Sequence, residues 1–125
     1  MKICVTASTG TIDAQIDPRF GRCAYFVVVD SETMQFEAVP NLASGASGGA
    51  GIQAAQAVAN KGAKVVLTGD VGPNAFHALS AAGIEIVTGV SGSVKEAVEK
   101  FKRGDFKKTG APTVGDHAGV SKTQR

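Results

Sequence analysis

Three glycine-bearing segments constrain the fold of this chain most strongly. They are residues 17–23 (Asp-Pro-Arg-Phe-Gly-Arg-Cys), residues 48–51 (Gly-Gly-Ala-Gly) and residues 69–76 (Gly-Asp-Val-Gly-Pro-Asn-Ala-Phe). Each segment falls where an apolar, strand-like run meets a loop or where a helical pattern begins. Such junctions are the places where α/β proteins bind ligands. The sequence therefore predicts an α/β domain whose ligand site is built from loops.

Apolar runs and turn signals between these segments predict the element order β-β-β-α-β-α-β-α. Residues 2–7 and 25–30 are almost continuously apolar, as buried strands are, whereas residues 34–39 alternate like an edge strand. Residues 63–68 and 84–87 are two further strands, each followed by a helical pattern. Because β-α-β crossovers give parallel strands and short turns give antiparallel ones, we predict a mixed five-stranded sheet flanked by helices.

Capping residues and apolar spacing predict the helices. The first covers about residues 49–60, with Ile52 on its apolar face. Pro73 occupies the first position of the second helix, where a missing N–H costs nothing. Ser93 and Glu96 have the spacing of a capping box and predict the start of the third.

Length and composition predict one domain and a tail. The chain has 125 residues, of which 43% are hydrophobic, which is enough for a single core. All predicted elements lie within residues 1–104, whereas residues 105–125 contain few large apolar side chains and predict a mobile basic tail. A net charge of +2 argues against a general affinity for nucleic acid.

The sequence carries no pattern of export or membrane insertion. Met1-Lys2 leads directly into a strand-like run, and no apolar stretch approaches the roughly 20 residues that span a bilayer. We therefore expect a soluble, cytoplasmic protein in which Cys4 and Cys23 are reduced.

The first glycine segment places a thiol between two guanidinium groups. Arg19 and Arg22 would stabilise a thiolate at Cys23, and a thiolate suits a soft metal or a metal cluster. Gly21 would let the backbone approach such a ligand closely. The alternative is that Cys23 is a small buried residue at the start of a strand, as Cys4 is predicted to be within its own strand.

The second segment, with Gly48, Gly49 and Gly51, resembles an anion-binding loop that exposes backbone N–H groups at a helix N-terminus. It lacks the Gly-Lys-Ser/Thr of a Walker A loop and the acidic partner of a dinucleotide fingerprint. A flexible connection with close helix packing explains it equally well.

The third segment contains Gly69, Asp70, Gly72 and Asn74 at the carboxyl end of a predicted parallel strand. This is the usual ligand position in α/β sheets. Ordinary turn chemistry, with Asp70 and Asn74 bonding to backbone donors, is the alternative. Three loops of this kind can converge on one edge of the sheet.

No catalytic constellation is readable in the sequence. His77 lies in the second predicted helix, and neither a Ser-His-Asp nor a Cys-His arrangement is evident. The carboxylates show no common focus of the kind that a two-metal nuclease needs. The sequence therefore predicts a binding protein and not an enzyme.

Taken together, these motifs resemble one known family over residues 1–104: the dinitrogenase iron–molybdenum cofactor biosynthesis family, a NifX-like domain also found at the C-terminus of NifB. The matching pieces are residues 20–23 before Tyr25-Phe26, residues 48–51, residues 69–76, and residues 82–84 followed by Gly89.

The resemblance implies a ribonuclease-H-like topology and a carrier role, without turnover, for an iron–sulfur or iron–molybdenum cluster precursor. Cys23 would then be the metal ligand, Arg19 and Arg22 would complement the charge of the cluster, and the two later glycine loops would supply backbone donors. The implied partners are cluster donor and acceptor proteins, with neither nucleic acid nor membrane, and we expect a monomer or weak dimer.

Two other functions fit the residues. The same loops would serve a small-anion or nucleotide-binding module in which Cys23 is structural. Alternatively, the strand at residues 34–39 would act as an exposed edge in a protein-interaction domain.

Overall fold

Strands and helices follow one another in the predicted order in the computed structural model, which describes residues 1–115. The strands are β1 (Lys2–Ala7), β2 (Tyr25–Asp30), β3 (Phe36–Pro40), β4 (Ala63–Leu67) and β5 (Glu85–Val87). The helices are α1 (Ala50–Asn60), α2 (Pro73–Ala81) and α3 (Val94–Lys102), and a short 3-10 helix covers Phe20–Arg22.

The strands form one mixed sheet in the order β3-β2-β1-β4-β5. β2 pairs antiparallel with both β1 and β3, whereas β4 pairs parallel with both β1 and β5. β1 is therefore central, with Cys4 opposite Val28 on one side and Val66 on the other. The predicted mixed five-stranded sheet is confirmed, and the ribonuclease-H-like name for its topology stays a prediction.

Alternate side chains of β1 enter two separate cores, because successive residues of a strand point to opposite faces of the sheet. On one face Cys4 packs in a buried cluster with Val58 of α1 and Leu79 of α2. On the other face Val5 packs in a second cluster with Val98 of α3. Helices thus cover both faces, which explains why β1 is buried from Ile3 to Ala7 and why Cys4 is a core residue, as predicted.

The predicted capping residues of α2 and α3 are confirmed. Ser93 Oγ accepts a hydrogen bond from the N–H of Glu96 at 3.2 Å, and Glu96 Oε1 accepts one from the N–H of Ser93 at 3.0 Å. Pro73 stands in the first turn of α2. β3 begins at Phe36, two residues later than predicted, because Met34 has a left-handed backbone (φ 62°) within the turn.

The buried face of α1 is made of small residues. Ala50, Ala54, Ala55 and Val58 are buried, whereas Ile52, which was predicted on this face, is 41% exposed. A residue two positions along a helix is rotated by about 200°, so Ile52 lies opposite Ala54. Small buried side chains allow α1 to approach its neighbours closely.

Residues 105–115 follow α3 and return to the sheet. The N–H of Thr109 donates to the carbonyl oxygen of Ile86 in β5 at 2.7 Å, and the N–H of Thr113 donates to that of Val71 at 2.9 Å. Phe106 packs half-buried against the core cluster that contains α3. The mobility predicted for residues 105–125 stays a prediction, and residues 116–125 lie outside the described residues.

The loops that follow β1 and β4 are bonded to each other at the carboxyl edge of the sheet. The hydroxyl of Thr6, near the end of β1, donates to the carbonyl oxygen of Asp17 at 2.6 Å and so holds the loop after β1. The N–H of Asp70, after β4, donates to the carbonyl oxygen of Pro18 at 2.7 Å and joins the two loops. Gly69 lies against the same turn, since a Cβ atom at Gly69 would lie 2.6 Å from the Cα of Pro18. Only glycine fits this position, and the close contact joins two of the three glycine segments.

The substitution Gly69→Ala should lower the free energy of unfolding by about 2 kcal/mol, because its Cβ would collide with backbone that cannot move aside as a side chain can. Gly45→Ala is the matched control, since no atom lies within 4 Å of a Cβ built there. The control should remain within about 0.5 kcal/mol of the wild type. Urea unfolding measures both, and equal stabilities for the two variants would contradict the packing argument.

Candidate functional site

The three glycine segments meet at the carboxyl edge of the sheet. A Cβ atom at Gly21 would lie 3.3 Å from the Cα and N atoms of Gly51, and a Cβ at Gly51 would lie 3.1 Å from the Cβ of Ala75. The 3-10 helix, the first turn of α1 and the first turn of α2 are therefore in contact. We call this region, residues 19–22, 48–51 and 69–75, the glycine site.

Two helix N-termini adjoin one another in the glycine site. α1 follows Gly49, which has a left-handed backbone (φ 73°), and α2 follows Gly72. Among residues 1–115 no side chain caps either helix, and neither first turn contains an acidic residue. The first N–H groups of a helix lack partners within it and carry the positive end of its dipole. The glycine site thus offers two adjacent sets of donors for an anion.

Arg22 holds the glycine-rich loop at residues 41–49. Its Nη1 donates to the carbonyl oxygen of Ser44 at 3.0 Å and to that of Ala46 at 2.6 Å. These bonds occupy one of the two terminal nitrogens of the guanidinium. Arg22 is therefore bonded to the loop before α1, and its predicted role of complementing the charge of a thiolate or a ligand stays a prediction.

Arg19 is paired with Asp17. Its Nε and Nη2 each donate to a carboxylate oxygen of Asp17 at 3.2 Å, and its backbone N–H donates to Oδ1 at 2.9 Å. These hydrogen bonds, together with the charge of the carboxylate, raise the pKa of Arg19. The Arg19 side chain is 63% exposed and that of Asp17 only 10%. Asp17 therefore neutralises the cation predicted to complement a cluster.

Cys23 is a buried thiol. It has no exposed surface, and its Sγ donates to the carbonyl oxygen of Phe20 at 3.3 Å. Burial, and secondarily the negative charge of Asp17, raises the pKa of Cys23 to about 12. The structure thus places Cys23 in the core, as in the alternative of a small buried residue at the start of a strand, and burial there favours the neutral thiol. Its role as a metal ligand stays a prediction.

The described residues contain two free cysteines and no ready-made metal site. Cys4 and Cys23 form no disulfide, and burial raises the pKa of Cys4 well above its usual value. Within residues 1–115 no group of three or more His, Cys, Asp or Glu side chains could hold a metal ion. The donors of the glycine site are instead backbone N–H groups and guanidinium nitrogens, which bind anions and not bare metal cations.

Asn41 is a site-building residue that the sequence analysis missed. Its Nδ2 donates to the carbonyl oxygens of Gly21 at 3.1 Å and of Cys23 at 2.9 Å, while its Oδ1 accepts from the N–H of Ala43 at 3.1 Å. It is 7% exposed. Asn41 thereby fastens the glycine-rich loop to the 3-10 helix. Only its position after a strand marks it in the sequence, and no spacing rule connects it to Gly21.

The remaining predicted site residues contribute mainly through the backbone. Asp70 donates its N–H to Pro18 and accepts from Phe20 with its carbonyl oxygen at 3.3 Å, while its side chain is exposed. Asn74 is exposed in the first turn of α2, and Gly48 is exposed with no atom within 4 Å of a Cβ built there. The structure thus brings the predicted residues to one edge and leaves Cys23 beneath them.

Comparison with protein families gives one match. The family model described as dinitrogenase iron-molybdenum cofactor matches residues 1–104. An uncharacterized protein of Methanocaldococcus jannaschii is 28% identical over 97 residues, which cover 75% of this chain and 82% of that protein.

Two solved structures share both sequence and fold with this chain. The apo form of the orange protein from Desulfovibrio gigas superposes with a TM-score of 0.88 at 47% identity, covering 90% of this chain and 95% of that one. The NMR structure of a proposed NifB protein from Thermotoga gives a TM-score of 0.75 at 29% identity, covering 86% and 91% of the two chains.

The raised pKa of Cys23 predicts a pH dependence of stability. Burial raises the pKa of the Cys23 thiol from 9.0 in the unfolded chain to about 12 in the folded one. Its contribution to the free energy of unfolding is therefore complete below pH 9 and falls as the pH rises toward 12. The loss should approach about 1.4 kcal/mol per pH unit. Urea unfolding between pH 8 and pH 10.5 should show this extra slope in the wild type and not in Cys23→Ala, in which Cys4 is unchanged. Identical slopes would mean that Cys23 is not held as a neutral thiol.

Proposed function

Because the chain belongs to the dinitrogenase iron–molybdenum cofactor family, we propose that it binds and carries an anionic iron–sulfur or iron–molybdenum–sulfur cluster precursor without turning it over. The observation that carries this proposal is the contact between the uncapped first turns of α1 and α2 at Gly51 and Ala75. A cofactor-related binding role is common to the family; the precursor and the carrier role are the parts that we propose.

The electrostatics of the glycine site support an anionic cargo. Sulfide-rich clusters carry negative charge, and concave sets of backbone N–H groups bind both phosphates and iron–sulfur clusters. The first turns of α1 and α2 contain no acidic residue, and Arg22 adds a positive charge held by the loop before α1. An exposed Gly48 leaves room for a cargo to approach this backbone.

The donor set favours a preassembled cargo held without covalent bonds to protein. Bare iron or molybdenum would need thiolate, imidazole or carboxylate ligands, and Cys23 has no exposed surface. A cluster that already carries its own sulfides needs hydrogen-bond donors and a nearby cation, which the glycine site supplies through its backbone N–H groups and Arg22. The orange protein of Desulfovibrio gigas, which is 47% identical to this chain, was solved in an apo form, and such a form implies a bound one.

The proposal also includes the partner proteins and the cellular location of this chain. A carrier requires a donor and an acceptor protein, and we expect this chain to meet them as a monomer or weak dimer, without nucleic acid. Among the described residues no helix is long and apolar enough to cross a membrane. A cytoplasmic location stays an expectation.

A small-anion module is the second candidate function. It is favoured by the same observation, since uncapped helix N-termini also bind oxyanions such as phosphate. The two functions differ in whether the site prefers sulfur-bearing metal anions over oxyanions of equal charge. Tetrathiomolybdate and molybdate, both dianions built on molybdenum, form a matched pair of probes.

The proposal predicts that the anaerobic chain retains tetrathiomolybdate, alone or with ferrous iron and sulfide, after desalting. Molybdenum, iron and visible absorption should be stoichiometric with protein in the wild type and persist in Cys23→Ala. Gly48→Asp should weaken retention about tenfold by placing a negative charge beside the N-terminus of α1, whereas the neutral control Gly48→Asn should not.

Each alternative outcome has a distinct meaning. Loss in Cys23→Ala with retention in Gly48→Asp would make the thiol the ligand and overturn the glycine site. Equal retention of molybdate and tetrathiomolybdate would favour the small-anion module. No retention of either probe would contradict both functions.

The pairing of Asp17 with Arg19 predicts that Asp17→Asn strengthens anion binding. The amide can still accept from the backbone N–H of Arg19, but the guanidinium would no longer be neutralised, so affinity for tetrathiomolybdate should rise about fivefold at low salt. Isothermal titration of wild type, Asp17→Asn and the double variant Asp17→Asn/Arg19→Gln measures the effect. The gain should vanish in the double variant, and a gain that survives there would show that Arg19 is not the responsible cation.

A further inference from the structure

A segment outside the family domain is bonded directly to the glycine site. The family model ends at residue 104, and residues 105–115, which we call the strap, run from the end of α3 past β5 to the loop before α2. Two threonines fasten the strap, one at each place where it crosses the loops of the carboxyl edge.

Thr109 fastens the strap at β5. Its N–H donates to the carbonyl oxygen of Ile86 at 2.7 Å, and its Oγ1 accepts from the N–H of Thr88 at 3.0 Å. The hydroxyl groups of Thr88 and Thr109 lie 2.8 Å apart. Thr109 thus pairs with the outer side of β5, the strand at one edge of the sheet.

Thr113 fastens the strap at Val71. Its N–H donates to the carbonyl oxygen of Val71 at 2.9 Å, and its Oγ1 accepts from the N–H of Val71 at 2.9 Å. Both backbone polar groups of Val71 are thus satisfied by one strap residue. Val71 is 1% exposed, so water does not replace these bonds in the folded state.

Val71 occupies a critical place in the glycine site. The residue before it, Asp70, is bonded through its backbone to Pro18 and Phe20, and the residue after it, Gly72, precedes α2. A Cβ at Gly72 would lie 3.5 Å from the carbonyl oxygen of Gly115, so the strap also touches the loop at this point. The direction in which α2 presents its first N–H groups therefore depends on how Val71 is held.

We propose that Thr113 is a positioning residue that fixes the N-terminus of α2 for anion binding, whereas Thr109 only holds the other end of the strap to β5. This inference rests on the function proposed above. Helix donors bind an anion well only if they are aligned before it arrives, since aligning them on binding costs affinity. Thr113 supplies this alignment by holding Val71, without touching the anion.

The experiment compares three variants of the full chain. Thr113→Val keeps the shape of the side chain and removes its hydroxyl, Thr113→Ser keeps the hydroxyl, and Thr109→Val removes the matching hydroxyl at the other anchor. Two quantities are measured for each: the hydrogen-exchange rate of the Val71 amide, without ligand, and the affinity for tetrathiomolybdate.

Thr113→Val should speed exchange of the Val71 amide and weaken tetrathiomolybdate binding, each by about tenfold, the effect of losing one buried hydrogen bond. Thr113→Ser should restore both values, and Thr109→Val should leave both near wild type even if it lowers the melting temperature. If Thr113 only stabilised the fold, the affinity for tetrathiomolybdate would fall in proportion to the melting temperature in both Thr113→Val and Thr109→Val.

Three results would overturn the inference. Unchanged exchange at Val71 in Thr113→Val would show that the hydroxyl does not hold the loop. Faster exchange with unchanged affinity would show that the loop need not be held for binding. If the wild type binds no tetrathiomolybdate, the proposed function fails and the positioning role fails with it, whereas the first two results leave the proposed function intact.

Discussion

The rest of the structure depends on close contacts that three glycines make with neighbouring segments. Gly21 lies against Gly51, Gly51 lies against Ala75, and Gly69 lies against Pro18, in each case at distances where an added methyl group would crowd its neighbour. These contacts allow the loops after β1 and β4 and the first turns of α1 and α2 to share one small region. The parallel arrangement of β1 and β4 brings the loops to the same edge, and the missing side chains let them touch.

Charge pairing within this region decides what it can bind. Arg22 is held by backbone carbonyls, which are neutral, so its charge is available, whereas Arg19 faces the carboxylate of Asp17. Cys23 lies below the surface as a neutral thiol. The region holds two arginines against Asp17 and Asp70 and so has no net positive charge. It offers an anion mainly directed N–H donors beside the guanidinium of Arg22, a combination suited to a bulky, diffuse anion held reversibly. Reversible binding is what a carrier needs, since it must release what it collects.

Local patterns in the sequence were sufficient to predict the fold but not the detailed site. The strand runs, Pro73 and the Ser93–Glu96 capping box act over a few residues, and the element order that they predicted is confirmed, although β3 begins two residues later than expected. The partners of Arg22, and the hydrogen bonds of Asn41 to Gly21 and Cys23, depend on contacts between residues about 20 positions apart, which no local spacing encodes. The convergence of the glycine loops could be predicted because the carboxyl ends of parallel strands lie at the same edge of a sheet. The buried position of the Cys23 thiol could not, because it depends on how the 3-10 helix packs.

The strap also covers one margin of the sheet. Edge strands with free N–H and C=O groups invite pairing with a second molecule. At β5 the strap occupies Ile86, so this edge is already partly completed from within. The opposite edge, β3, ends in Pro40, which has no N–H to offer, and carries Glu37 in an ion pair with Lys61 at 2.6 Å. The two edges of the sheet are thus protected in different ways: β5 is covered by the backbone of the strap, and β3 has a proline and a charged residue. Both features disfavour the edge-to-edge pairing of strands that leads to fibres.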